Sequence, residues 1–96
     1  MDIRSLPATP DAIREAVLGT NGRIFGAVVQ KRDGDTRAFN ARTFEDTGNE
    51  RDTRNAMLTV LDIHRTQAEK RRAFRVMALE GVRELTCGDT RTVFVP

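Results

Sequence analysis

Hydrophobic positions change their period along the chain. Ile13, Ala16 and Val17 fall at i, i+3 and i+4 and make one apolar helical face. Thr9 supplies an N-cap oxygen, Pro10 fits the first helical position, Asp11 sits at the favourable end of the dipole, and Gly19 offers a stop. The spacing predicts a helix over 9–19. After Asn21-Gly22 the pattern turns β-rich, with Ile24-Phe25-Gly26-Ala27-Val28-Val29 as an apolar run in which Gly26 marks a bend or bulge. Asp33-Gly34 is the strongest hairpin signal and joins the strand ending at Lys31 to residues 36–41. Residues 58–63, 73–77, 83–87 and 92–95 read as further short strands, the last two joined at Gly88-Asp89. Residues 43–55 hold Phe44 as their only large apolar side chain and read as a long acidic loop, with a helical turn as an option within it; residues 64–72 read as a polar connection.

One helix followed by about six short strands predicts a mainly-β (α+β) domain. The expected architecture is a small antiparallel barrel, SH3-like or Sm-like, of five to six strands, with the N-terminal helix closing one open end. A ferredoxin-like alternative requires a second long helix, and the only room for it, 43–55, lacks an amphipathic stripe. Residues 1–8 are expected as a flexible leader and 9–96 as a single domain, with strands from 22 to 95.

Composition narrows the function classes. A chain of 96 residues, 39% hydrophobic, suits one folded domain with a small core and little room for a deep enzyme pocket. No apolar run reaches the length that spans a bilayer, and the first residues lack a basic region followed by an apolar one, so the expectation is a cytoplasmic protein. One Cys and one His make neither an internal disulfide nor a structural zinc site. The formal net charge is only +2, so distribution matters more than total; of the 16 basic residues all but Lys31 and Lys70 are Arg, whose planar fork suits phosphate or carboxylate.

Catalytic constellations are weak. Asp62, His64 and Cys87 could at most form a minimal Cys–His site, and Ser5 is the only Ser. Asp33-Gly34-Asp35 is a turn rather than a calcium loop, because Phe44 stands where a bidentate Glu belongs. No Gly-rich phosphate cradle exists, and Arg23–Val28 matches the RNA-binding strand of RRM domains without its other aromatics. The reading is therefore no enzyme, no cofactor and no metal. The basic segment carries Arg65, Lys70, Arg71, Arg72 and Arg75 and is the candidate contact for nucleic acid or a nucleoprotein complex. The alternative is a protein-binding loop with Glu45, Asp46, Glu50, Arg51, Asp52 and Arg54, in an interaction module or homo-oligomeric adaptor. A nucleotide-signal-binding barrel is a third reading.

Three stretches carry a family resemblance: residues 31–42 (KRDGDTRAFNAR), 58–62 (LTVLD) and 72–85 (RAFRVMALEGVREL). In order and spacing they resemble a family of small SH3-like β-barrel proteins of unknown function found in bacteriophages and mobile elements, across roughly 23–95. Residues 72–85 are also similar to the final strand and turn of WYL domains, without the Trp-Tyr-Leu signature itself. The resemblance implies a fold and a phage-like setting inside a bacterial host cell, with inhibition of a host defence complex such as a CRISPR effector as a possible purpose, and it carries over no catalytic residue.

Overall fold

A computed structural model describes residues 1–96. Its elements run β1 (Asp2–Pro7), α1 (Pro10–Leu18), β2 (Phe25–Gln30), β3 (Thr36–Arg42), α2 (Glu50–Arg54), β4 (Met57–Asp62), α3 (Ile63–Glu69), β5 (Phe74–Ala78), a single 3₁₀ turn (Leu79–Gly81), β6 (Val82–Cys87) and β7 (Thr90–Val95). The architecture is mainly β, one seven-stranded sheet in the order β1-β7-β6-β2-β3-β4-β5 with three helices against it.

Local chemistry explains the elements that the sequence announces. The Thr9 hydroxyl accepts from the Ala12 N–H at 3.2 Å, Pro10 opens α1, and Ile13 and Val17 are the helix residues that become fully buried. The Asp33-Gly34 turn closes the β2–β3 hairpin, where Gly34 adopts φ 93 and Asp33 Oδ1 accepts from the Asp35 N–H. The β2–β6 register slips between Val28 and Val29, two residues beyond the Gly26 that marks an irregularity in the sequence. Phe25, Leu58, Val60, Met77, Leu79 and Val82 join the two α1 residues in one buried cluster, so the helix covers the 3₁₀ turn and β6.

Three expectations are corrected. Residues 1–8 are not a leader: Asp2–Pro7 pairs along its whole length with β7, in parallel, and the Arg4 Nε donates to Thr92 Oγ1 at 2.8 Å. The sheet is not a closed, all-antiparallel barrel. β6 gives its two edges to β2 and β7, the 3₁₀ turn carries the chain past β5 without pairing, and β5 and β1 remain the two ends of the sheet. The 64–72 connection is largely helical, because Asp62 Oδ1 caps α3 through the Arg65 N–H at 2.9 Å and Lys70, at φ 54, ends it in a left-handed residue. The acidic stretch does hold a short helix, α2, capped by the Asn49 side chain accepting from the Asp52 N–H at 2.8 Å.

Candidate functional site

Folding disperses the basic segment rather than presenting it as one patch. Arg75 sends Nε and a terminal nitrogen, each at 2.8 Å, to Oδ2 of Asp62, which is 1% exposed. Burial would raise the Asp62 pKa, but the Arg65 N–H and the Arg75 guanidinium outweigh it and hold the carboxyl below its ordinary range. Arg75 also lies over the Phe39 ring, 4.6 Å from its centroid. Arg72 forms a two-pronged pair with Glu45 at 2.9 and 3.0 Å, and its guanidinium stands 5.4 Å from the Phe44 ring and 5.5 Å from that of Phe74. The Arg72 hydrogen bonds are the main reason that the Glu45 pKa falls to about 2, and Glu45 in turn raises that of Arg72. Arg65 and Arg71 both reach Glu69 at 3.3 Å. Of the five candidate contacts, Lys70 alone has no carboxylate partner.

The acidic stretch is similarly consumed. Asp52 is buried and accepts from the Thr59 hydroxyl at 2.6 Å, which ties α2 to β4 and makes it a structural residue. Glu45 is spent on Arg72, and the Asp46 carbonyl and carboxylate accept from the Asn49 amide. Glu50, Arg51 and Arg54 are exposed on α2.

Free positive charge collects elsewhere. β3 pairs with β4 only at Ala41 and Arg42, so the outer part of the β2–β3 hairpin stands apart from β5 and leaves a groove of about 250 Å³. Val29, Phe39, Val76 and Met77 form its apolar wall, and Lys31, Arg32 and Arg37 line it without a carboxylate in salt-bridge distance; Glu80 is the one acid in the lining. The hairpin is anchored near this groove by the close approach of the Gln30 carbonyl to Gly81, where a Cβ would lie 2.5 Å from the oxygen. In the sequence these three cations are interrupted by Asp33 and Asp35 and form no run; only the Lys31-Arg32 pair before the turn hints at them.

β5 brings the open edge of the sheet to the same groove. The Ala73 carbonyl accepts from the Asp62 N–H and the Leu79 N–H donates to the Ala56 carbonyl, so alternation turns the backbone groups of Arg75 and Met77 toward β4 and those of Phe74, Val76 and Ala78 outward. The Phe74 carbonyl is taken by Arg65 Nη1 at 3.3 Å. Val76 has no such cap and is 56% exposed as a residue, next to Phe74 at 41%.

The other candidates do not assemble. Cys87 on β6 faces the Ile24 carbonyl at 3.7 Å, and His64 lies on α3, beyond β2, β3 and β4 in the sheet order. No three His, Cys, Asp or Glu side chains come together as metal ligands, and no helix is long and apolar enough to cross a membrane. A wider cleft of about 560 Å³ between α1 and the β1–β7–β6 end carries Arg4 and Arg23 against Glu15 and Asp89, a balanced set of charges. No family model, curated protein or solved structure matches the chain.

Proposed function

We propose that this chain is a non-enzymatic binding module that engages an anionic macromolecular partner along the groove between the β2–β3 hairpin and β5. The observation that carries the reading is the trio Lys31, Arg32 and Arg37, which lack acidic partners and share a groove with exposed apolar surface. Arg72 and Arg75 must break their pairs with Glu45 and Asp62 before they meet a new anion, and Arg65 and Arg71 are drawn to the one Glu69 that they share, whereas the trio meets it at no such cost. The β6-β2-β3-β4-β5 order, with a 3₁₀ turn between β5 and β6, supports an SH3-like kinship for this part of the sheet. Together with the phage-like sequence resemblance, it supports a nucleoprotein assembly of the host, such as a CRISPR effector, as the setting in which the anionic partner is met.

Fluorescence anisotropy with labelled single-stranded DNA, duplex DNA, RNA and poly-glutamate, at low and near-physiological salt, tests the reading. At least one probe binds, with affinity that falls steeply with salt. Reversing Lys31, Arg32 and Arg37 to Glu weakens that binding at least about tenfold, while Arg71→Glu with Arg72→Glu changes it by less than about threefold. Absence of binding to every probe at low salt contradicts the proposal, as does a triple variant that binds like the parent.

A further inference from the structure

Resting on that reading of the groove, we infer that its occupant is an extended acidic polypeptide segment that adds to the sheet as an eighth strand beside β5. The inference joins three features. The first is the open edge: β5 is the last strand, and the N–H and C=O of Val76 point away from β4 with no strand beyond them. The second is that protection is confined to the first residue of the strand, where Arg65 caps the Phe74 carbonyl. β5 contains no proline, and its one charged side chain, Arg75, is bound to Asp62, so nothing on the strand itself repels an incoming backbone.

The third feature is charge. Lys31, Arg32 and Arg37 line the groove on the hairpin side and select carboxylates among the segments able to pair with the edge. They also disfavour a second copy of this chain, because edge-to-edge pairing would bring two sets of like charges to one interface. Backbone hydrogen bonds to Val76 and contact with its exposed side chain provide the affinity, and the carboxylates provide the specificity. Nucleic acid could use the cations but has no peptide backbone with which to satisfy the edge.

The test uses the full chain and a synthetic eight-residue peptide alternating valine and glutamate, made in three forms: unmodified, N-methylated at the residues whose N–H faces β5, and N-methylated at the alternate residues. Two registers are possible, so the two methylated peptides are compared with each other. The unmodified peptide binds and slows hydrogen exchange of the Val76 amide, and one methylated form binds at least about tenfold weaker than the other. A Val76→Pro variant removes the outward N–H without touching the β4 ladder and loses the peptide while retaining its thermal transition.

Equal binding of both methylated peptides, with binding still lost on reversing Lys31, Arg32 and Arg37, overturns strand addition and leaves the cationic groove standing. Insensitivity of all binding to that reversal overturns the groove itself. Tighter binding of DNA or RNA than of the unmodified peptide at the same salt overturns the polypeptide assignment. A concentration-dependent dimer of the protein alone with the Val76 amide already protected does so too.

Discussion

Asp62→Ala lowers the melting temperature more than any other single substitution of a polar residue in this chain. The carboxylate does two jobs with its two oxygens: Oδ1 caps α3 through the Arg65 N–H, and Oδ2 neutralises Arg75. Removing it uncaps a seven-residue helix and leaves the Arg75 guanidinium, largely withdrawn from water over Phe39, without its counter-charge. Loss of the cap costs about 1 kcal/mol. The broken ion pair adds roughly 2 kcal/mol, below the usual value for a buried pair because Arg75 retains some solvent. In a domain of this size the sum, about 3 kcal/mol, corresponds to roughly 12 to 24 °C in melting temperature. Asp62→Asn keeps a capping oxygen and falls between the two. Since the folded Asp62 carboxyl titrates below its unfolded value of about 3.9, its contribution is complete above that pH and fades as pH falls through the folded value. The gap between parent and Asp62→Ala is therefore widest near neutrality and narrows in acid. Far-UV circular dichroism melts at several pH values check it, the chain having no Trp or Tyr for intrinsic fluorescence. A gap of less than a few degrees at neutral pH contradicts the assignment.

Gly81→Ala is the second large effect, and its cause is space. The added methyl would lie 2.5 Å from the Gln30 carbonyl oxygen and 3.3 Å from Val29 Cγ1, and the first neighbour is backbone that cannot rotate away. The end of β2 or the 3₁₀ turn must move, at a cost of about 2 to 3 kcal/mol, or roughly 8 to 24 °C. Gly34→Ala is the control: at φ 93 with nothing within 4 Å of the added carbon, it carries backbone strain of about 1 to 2 kcal/mol and no collision. Because Lys31 and Arg32 directly follow the displaced end of β2, Gly81→Ala also weakens binding of the groove's partner, whereas the parent and Gly34→Ala bind alike. A Gly81→Ala protein that melts within about 2 °C of the parent shows that the contact is not close in solution.

How much of this was legible in the sequence depended on whether the cause of each element was local. Thr9-Pro10-Asp11 and Asp33-Gly34 act through neighbouring backbone, and α1 and the β2–β3 hairpin stand where those residues place them. α3 has no apolar stripe and no buried residue; its determinants are one capping carboxylate, Asp62, which read in sequence as strand, and one left-handed lysine, which read as part of a basic connection. β1 depends on β7 at the far end of the chain, and five of its six residues are exposed, so its pattern carried no burial signal.

The candidate site was harder to read for the same reason. Glu45 and Arg72 are 27 residues apart and meet only when the loop before α2 folds toward β5, so a cluster of cations in sequence became in space a set of paired arginines with Lys70 left over. Conversely, Lys31, Arg32 and Arg37 look balanced by Asp33 and Asp35 along the chain, yet none of the three is paired and all face the groove beside Val76. Charge counted along a sequence does not report which charges remain free after folding.

A two-dimensional ¹⁵N–¹H NMR titration of the full chain with the tightest-binding anionic probe maps the contact surface residue by residue. The largest shift changes are expected at Lys31, Arg32, Arg37 and Val76, with little change at Lys70 and Arg71. Shifts concentrated on Lys70, Arg71 and the rest of the 65–72 segment, with the hairpin and β5 unmoved, would contradict it.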